Sequence, residues 1–291
     1  MARNYKKSFK YTDIKRSMDI IEQFSKGKND TQPCEDRLVI TDDYVAVIDG
    51  STSKGNFSFG GMRSGFVAAK LVGDCIAEMS RRSTVGQAAR LMTNTIADFY
   101  NTNGLMDRMK ENPADRPTCS VVIYSDYRRE IWQIGDCLAK VGGTLYENNK
   151  PLEAVLAKMR STMLRLEMLG GKTVGQLLAD DTGRKAIMPL LKQQCVCQNN
   201  PDAGEFAYGV VDGFKIVGEH IKTISLADYS GDVILASDGY PVLCPTLYDT
   251  EAHLAAILKE DPLCYDKNMA TKAMVEGNNS FDDRTYVRFQ I

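Results

Sequence analysis

Three short apolar segments of this chain end in an aspartate beside a glycine. They are Val45–Gly50, Ile131–Asp136 and Val233–Gly239, and a fourth aspartate, Asp282, precedes the last apolar run. Segments of this length that are rich in Val and Ile are typical of buried β-strands. A carboxylate at the end of such a strand loses hydration unless a positive charge meets it. No matching set of basic residues lies beside these aspartates, so the pattern indicates a fold that collects them around a shared cation.

Composition limits the classes of partner. The chain has 291 residues, 43% of them hydrophobic and 25% charged, which is typical of a soluble globular protein. Its net charge of −2 gives no electrostatic reason to expect a nucleic acid or an anionic membrane as a partner. We find no apolar stretch of about 18 residues and no secretory signal. The eight scattered cysteines indicate free thiols in a reducing cytoplasm.

Hydrophobic periodicity predicts alternating groups of strands and helices, an α+β fold of antiparallel sheets with the helices outside. Residues 1–32 are interpreted as a polar lead-in, with one helical face at Met18–Phe24, and residues 33–291 as a single domain. Strands are predicted at Arg37–Thr41, Tyr44–Ile48, Cys119–Tyr124, Glu130–Ile134, Leu138–Gly142, Val210–Val217, Ile221–Ser225, Asp232–Ala236 and Arg284–Ile291. Helices are predicted at Met62–Ser80, Val85–Met109, Leu152–Leu169, Val174–Lys192, Leu254–Leu258 and Lys267–Glu276.

The acidic motifs follow one another in a recognisable order. They are Glu35-Asp36, Asp49-Gly50, Gly135-Asp136-Cys137, Ser237-Asp238-Gly239 and Asp282-Asp283-Arg284-Thr285. This order resembles the metal-dependent protein phosphatases, the PPM or PP2C-like serine/threonine phosphatases, in a divergent bacterial form. That family carries Glu-Asp, Asp-Gly, Gly-Asp-Ser, Ser-Asp-Gly and a terminal Asp-Asn-x-Ser/Thr. The resemblance covers residues 33–291, and no single motif is specific without the others.

The resemblance implies a four-layer αββα sandwich, with two antiparallel sheets face to face and helices outside both. It also implies two Mn²⁺ or Mg²⁺ ions, or three, in a cleft at one edge of the sandwich. Asp49 would bridge two ions, Asp238 and Asp282 would complete one site, and Glu35 and the Gly50 carbonyl would contact the other. Asp136 matches the position associated with a third ion. Asp36 and Asp283 would lie beside the ligands.

The residue types agree with that implication. All the candidate ligands are carboxylate or carbonyl oxygens, which suit Mg²⁺ and Mn²⁺. The only histidines, His220 and His253, lie far from the motifs in the sequence, so zinc is disfavoured. Two such ions lower the pKa of a water molecule toward neutrality and clamp phosphoryl oxygens. Asp49 and Asp238 are therefore the predicted catalytic residues.

Several positions depart from the family pattern. Ser51 stands where the family often has a histidine that protonates the leaving group, and Thr31 stands where an arginine holds phosphate. Lys28 and Arg37 are the candidates to bind phosphate instead. Cys137 replaces a serine, and Asp283 replaces an asparagine.

The predicted function is metal-dependent hydrolysis of phosphomonoesters on a phosphoprotein or a small phosphoester. The alternative is a weakly active or inactive pseudophosphatase that serves as a binding or scaffold module. Actin-like sugar kinases and haloacid-dehalogenase-type phosphatases fit less well, because the chain lacks the second phosphate loop of the former and the Asp-x-Asp pair of the latter. The oligomeric state and the physiological substrate are not specified by the sequence.

Overall fold

The computed structural model describes residues 18–148 and 150–291, and within them the chain forms ten strands and seven α-helices. The strands are β1 Asp19–Lys26, β2 Arg37–Ile40, β3 Tyr44–Gly50, β4 Cys119–Ser125, β5 Glu130–Ile134, β6 Leu138–Val141, β7 Thr144–Tyr146, β8 Ile221–Ser225, β9 Asp232–Ala236 and β10 Arg284–Gln290. The helices are α1 Ser64–Ala77, α2 Val85–Thr102, α3 Met106–Glu111, α4 Pro151–Leu169, α5 Val174–Ala179, α6 Thr182–Gln193 and α7 Leu247–Glu260.

The strands form two five-stranded sheets. One has the order β1-β10-β9-β6-β7 and the other β2-β3-β4-β5-β8, and every pairing is antiparallel. The predicted hairpin at Asp42-Asp43 is present, with Arg37 opposite Ile48 and Ile40 opposite Val45. No helix in the described part of the chain combines the length and the apolar character needed to cross a membrane.

Alternation along β3 shows how the layers are stacked. Val45 and Val47 pack into the core between the two sheets, together with Leu235 and Val287 of the other sheet. The intervening Ala46 and Ile48 pack into a second core, with residues of α1 and α2. Successive side chains of a strand point to opposite faces, so helices cover the outer face of this sheet.

The other sheet is covered in the same way. Ile234 and Ala236 of β9 face outward and pack against Leu254 and Leu258 of α7. The resulting order is helix, sheet, sheet, helix, and the predicted four-layer sandwich is confirmed. Burying a Val or Leu side chain contributes about 1.5–3 kcal/mol, and three such cores stabilise the stack.

The predicted helical face at Met18–Phe24 is wrong, because Asp19–Lys26 is a strand. It pairs antiparallel with β10, with Gln23 opposite Val287 and Lys26 opposite Arg284. Most of its residues are exposed, as expected for an edge strand. The spacing of Ile20 and Phe24 fits a helix equally well, and the free edge of β10 decides the outcome by offering backbone partners. Residues 1–17 of the predicted lead-in lie outside the described residues.

The predicted helix at Lys267–Glu276 is also wrong, and this segment is an irregular loop. The carboxylate of Asp261 accepts hydrogen bonds from the backbone N–H groups of the next turn, namely those of Tyr265, Asp266 and Lys267. The buried guanidinium of Arg160 donates to backbone carbonyls of the same loop, those of Leu263, Cys264 and Ala270. Side chains therefore satisfy groups that a helix would have paired internally.

The predicted strand at Val210–Val217 is reduced to a single bridge between Val211 and Cys119. Asp212 ends the extended segment because its carboxylate accepts hydrogen bonds from the Phe214 N–H and the Asn199 amide. Two further predicted helices, Val85–Met109 and Val174–Lys192, each divide in two. In the second case Asp181 begins a new helix by accepting a hydrogen bond from the Arg184 N–H.

Candidate functional site

Three of the predicted aspartates meet at one end of the sandwich. Carboxylate oxygens of Asp49, Asp136 and Asp238 all lie within 4.8 Å of one another. Asp49 is in β3 of one sheet, Asp136 lies in the connection between β5 and β6, and Asp238 follows β9 of the other sheet. We call these three residues the aspartate cluster. Both sheets contribute to it, so the fold brings together residues that are distant in the sequence.

Burial and mutual repulsion oppose full ionisation of the aspartate cluster. Burial raises the pKa of Asp49 to about 8, and the negative charges of Asp36 and Asp136 add to the rise. Burial also raises the pKa of Asp238 well above its ordinary value, with repulsion from Asp49 and Asp136. A cation bound among these groups would favour their ionised forms.

Asp136 differs because it has a cationic partner. The Lys150 ammonium lies 2.6 Å from Asp136 Oδ2, and the Ser120 hydroxyl donates to Oδ1. Burial raises the pKa of Asp136, but the charge of Lys150 and these hydrogen bonds outweigh it, so the pKa lies below its ordinary value. Asp136 is therefore ionised at neutral pH, and its charge is partly neutralised by Lys150.

A second acidic group lies beside the cluster and consists of Glu35, Asp282 and Asp283. We call it the lysine-paired group. Lys28 Nζ lies 3.2 Å from Asp282, 3.5 Å from Asp283 and 3.7 Å from Glu35. Lys272 also contacts Asp282, and Arg63 lies 3.2 Å from Glu35. Although no matching set of basic residues lies beside the motif acids in the sequence, the fold brings Lys28, 254 positions away, and Lys272, ten positions away, to Asp282.

Asp283 fixes the backbone that carries these groups. Its Oδ1 accepts from the Lys28 N–H at 2.7 Å, and its Oδ2 accepts from the Glu35 N–H at 2.9 Å. An asparagine at this position offers only one accepting oxygen, which gives the aspartate a structural role here. Nearby, the Ser237 hydroxyl donates to Asp36 at 2.6 Å and accepts from the Thr285 N–H, which links three of the sequence motifs.

At two motif positions another stretch of backbone lies so close that only glycine, which has no Cβ, fits. A Cβ on Gly50 would lie 2.3 Å from the Gly65 carbonyl oxygen and 2.4 Å from that of Glu35. A Cβ on Gly239 would lie 2.0 Å from the Asp283 carbonyl oxygen. The Gly50 carbonyl oxygen itself packs against Gly65 at the start of α1.

A cleft with a volume of about 410 Å³ opens over the aspartate cluster. Besides Asp49, Asp238 and Asp282, basic side chains from several elements line it, namely Lys28, Lys54, Arg63, Lys150, Arg184 and Lys272. Lys54 differs from the other lysines because its ammonium donates to the Ser51 hydroxyl and the Thr52 carbonyl, and it forms no ion pair with a carboxylate among the described residues. Burial lowers the pKa of Lys54, and the charge of Lys150 lowers it further, as does that of Arg184.

Sequence reasoning did not identify Lys54, Lys150, Lys272 or Arg184 as site residues. Only Lys54 carried a local signal, since it lies in the loop directly after Asp49-Gly50. The other three come from the connection before α4, from α6 and from the irregular loop that precedes β10.

Of the two phosphate-binding candidates from the sequence, one lies outside the cleft and the other is already paired with acids. Arg37 donates to Asp74 of α1 at 2.7 Å and is not among the residues that line the cleft. The predicted phosphate-binding Lys28 does line the cleft, but its ammonium contacts the lysine-paired group. His220 lies at a smaller depression beside Gly135, and His253 is exposed on α7.

A further group of possible ligands, Cys34, Asp36 and Asp283, also lies within 4.8 Å. Burial raises the pKa of the Cys34 thiol to about 12, and the charges of Asp36 and Asp283 contribute. The thiolate is the form that binds metals, so this group is a poor metal site at neutral pH.

Among solved structures, the chain is similar to several bacterial phosphatases. The chain is similar to the serine/threonine phosphatase PstP/Ppp of Mycobacterium tuberculosis, with 14% identity, a TM-score of 0.47 and coverage of 94% of this chain and 98% of that one. It is also similar to the phosphatase Stp1 of Staphylococcus aureus, with 17% identity, a TM-score of 0.44 and coverage of 93% and 94%. A third neighbour is the catalytic domain of PstP in complex with two manganese ions, with 13% identity, a TM-score of 0.46 and coverage of 94% and 98%.

No protein-family model and no curated protein matches the chain. The structural neighbours are phosphatases, the class that the sequence motifs resemble.

The donor set fits a divalent cation at the aspartate cluster. All three side chains offer oxygen, the ligand that Mn²⁺ and Mg²⁺ prefer. Among the described residues, Asp49 and Asp238 form no ion pair with a basic side chain, whereas every acid of the lysine-paired group has one. The carboxylates of the aspartate cluster therefore fit a divalent cation. Those of the lysine-paired group do not fit a second one, because cationic side chains already contact them.

Proposed function

We propose that this protein is a metal-dependent phosphatase that hydrolyses phosphomonoesters. The observation that carries the proposal is the pairing of two features in one cleft. Asp49, Asp136 and Asp238 offer a compact set of oxygen ligands, and the cleft that Asp49 and Asp238 line is also lined by the positive charges of Lys54 and Arg184. A phosphate ester needs both, because its oxygens are negative and its phosphorus must be made accessible to water.

A divalent cation held by Asp49, Asp136 and Asp238 would supply positive charge to phosphoryl oxygens and lower the pKa of a water molecule. The chain's own residues do the rest. Lys54 and Arg184 bind the remaining phosphoryl oxygens and orient the ester in the cleft. Lys150 neutralises part of the cluster's charge, which reduces the repulsion between these carboxylates and an incoming phosphate.

We assign to Lys54 the stabilisation of the departing oxygen. It donates to Ser51, the residue that stands in place of the family histidine. A cation at this position stabilises negative charge on the leaving group as the ester bond breaks. The absence of a histidine at position 51 is therefore compatible with turnover.

The substrate class we propose is a phosphoprotein with phosphoserine or phosphothreonine. The order of the five acidic motifs, which resembles the serine/threonine phosphatases, supports this choice. The eight cysteines support a cytoplasmic location, because all are free and five of them are buried.

A second candidate function is a binding module without turnover. Lys28 and Lys272 favour it, because their ammonium groups form ion pairs with Asp282, a carboxylate that the resemblance assigns to a metal ion. The two functions differ in one measurable respect, since only the enzyme releases phosphate.

The test is phosphate release from an aryl phosphate and from a phosphothreonine peptide, in Mn²⁺, in Mg²⁺ and in chelator. The proposal expects release that requires the metal and is lost in Asp238→Asn. The control is Asp107→Asn, at an exposed carboxylate on α3, which should match wild type. Metal binding without release from either substrate would favour the binding module.

A further inference from the structure

We propose that Lys28 and Lys272 supply the positive charge that a second divalent ion would otherwise supply, so that the chain binds one divalent ion, at the aspartate cluster. This inference rests on the proposed function for the identity of that ion. It departs from the expectation that Glu35 and Asp282 are metal ligands.

Lys28 is surrounded by all three acids of the lysine-paired group. Its ammonium lies within 3.7 Å of Asp282, Asp283 and Glu35, and only 14% of its side chain is exposed. It also donates to the Thr52 hydroxyl at 3.4 Å. A primary ammonium has three donors, and here acidic or hydroxyl oxygens surround them.

Lys272 completes the neutralisation of Asp282. It contacts Oδ2, while Lys28 donates to Oδ1, so that both oxygens of this carboxylate have cationic partners. Glu35 is engaged through one of its two oxygens, and its buried Oε1 has no hydrogen-bond partner among the described residues. Its Oε2 accepts from the Thr52 hydroxyl at 2.7 Å and from Arg63 at 3.2 Å. A metal ion at these oxygens would have to displace ammonium groups.

The charges balance differently in the two groups. The lysine-paired group contains three carboxylates and is matched by three cationic side chains, those of Lys28, Lys272 and Arg63. The aspartate cluster also contains three carboxylates, and among the described residues Lys150 is the one basic side chain that forms an ion pair with it. When the cluster is fully ionised, two negative charges remain, which is the charge that one divalent cation neutralises.

Both lysines are held in position by other parts of the fold. The backbone N–H of Lys28 donates to Asp283 Oδ1 at 2.7 Å, which ties it to the start of β10. The loop that carries Lys272 is held by Arg184, which donates to the Thr271 carbonyl at 2.6 Å. Arg160 and Asp261 hold the earlier part of the same loop. The fold therefore holds the backbone that carries both lysines, which keeps their ammonium groups beside these acids.

The test is the number of Mn²⁺ ions bound per chain, measured by equilibrium dialysis with metal analysis and by electron paramagnetic resonance. Wild type is compared with Lys28→Met/Lys272→Met, and with Lys28→Arg/Lys272→Arg, which keeps the charge. Lys110→Met is the control, because Lys110 forms an exposed pair with Asp107 away from the cleft. Circular dichroism establishes that each variant is folded.

We expect one Mn²⁺ per chain in wild type, in Lys110→Met and in the arginine variant, with the spectrum of an isolated ion. The folded methionine variant should bind two, with the spectrum of a spin-coupled pair. Two ions bound to wild type would overturn the inference, as would no bound ion, and as would a folded methionine variant that still binds one. The number of Mn²⁺ ions bound to wild type tests the inference even if the methionine variant does not fold. One bound ion without phosphate release would refute the proposed function and leave this inference standing.

Discussion

The ammonium group of Lys28 lies 3.2 Å from Asp282 Oδ1, although the two residues are 254 positions apart in the sequence. The contact joins the segment after β1 to the segment before β10, and Asp283 strengthens it by binding the Lys28 backbone. It shows that part of the acidic cleft is neutralised by the chain itself. The remaining carboxylates, Asp49, Asp136 and Asp238, are those left for a cation.

We first predict that Asp49→Asn and Asp238→Asn each lower metal-dependent phosphate release by about 10²-fold or more, because each removes a charged ligand at the reacting centre. In chelator, both variants should unfold at a higher urea concentration than wild type, since each relieves repulsion within the aspartate cluster. Asp107→Asn is the exposed control. A variant with near wild-type turnover would contradict the assignment of that residue.

The second prediction concerns the cationic side of the cleft. Lys54→Met and Arg184→Met should each lower kcat/KM by roughly 10- to 150-fold, because a hydrogen bond to a charged group contributes about 1.5–3 kcal/mol. The number of bound Mn²⁺ ions should not change in Lys54→Met, since Lys54 forms no ion pair with the aspartate cluster among the described residues. Steady-state kinetics and dialysis on the same samples measure both quantities. Unchanged kinetics in Lys54→Met would remove Lys54 from the phosphate site, and Lys110→Met is the matched control.

The sequence predicts the parts of the fold that depend on neighbouring residues, and it does not predict the parts that depend on residues far apart in the chain. Alternation within β3 and the short turn at Asp42-Asp43 are local patterns, so the central strands and their pairing were predicted correctly. The strand β1 was not, because its spacing fits a helix and only the edge of β10 makes it a strand. The loop 267–276 was missed for a similar reason, since Arg160, more than a hundred positions away, satisfies the backbone there.

The site residues also fall into those with a local sequence pattern and those without one. Asp49, Asp136 and Asp238 are predictable as candidates from the sequence because each follows a recognisable strand and lies beside a glycine, and the structure brings their carboxylates together. Lys150 and Lys272 have no such local pattern, and their role is visible only when Asp136 and Asp282 are seen beside them. An absence of basic neighbours in the sequence does not predict an absence of basic neighbours in the fold.

The third prediction is a pH dependence of stability that arises from Asp36. Burial raises the pKa of Asp36 to about 7, against a smaller opposing effect of the Ser237 hydrogen bond. In the unfolded chain this carboxyl ionises near pH 4. Between about pH 4 and 7 the folded protein therefore holds a proton that the unfolded chain has lost, and the free energy of unfolding falls as the pH rises through this window.

Asp36→Asn has no group to titrate, so its stability should fall less steeply over the same range. The difference in slope should approach about 1.4 kcal/mol per pH unit at most. Urea unfolding in chelator at several pH values between 4.5 and 7.5 measures it. Parallel slopes for wild type and variant would show that Asp36 is ionised throughout.

The fourth prediction is that Asp283→Asn destabilises the fold by about 1–3 kcal/mol, because one of the two backbone N–H groups of Lys28 and Glu35 then loses its acceptor. Urea unfolding measures the loss. Asp228→Asn, at an exposed carboxyl after β8, is the control and should have little effect. Equal stability of Asp283→Asn and wild type would refute the structural role of this carboxylate.

The central claim is that the aspartate cluster supports metal-dependent phosphoester hydrolysis. The most direct measurement is the release of inorganic phosphate from a phosphothreonine peptide by wild type and by Asp238→Asn, each in Mn²⁺ and in chelator. The account predicts release by wild type in Mn²⁺ alone, with none in chelator and none above background from the variant. Release that persists in chelator, or that is equal in Asp238→Asn, would contradict it.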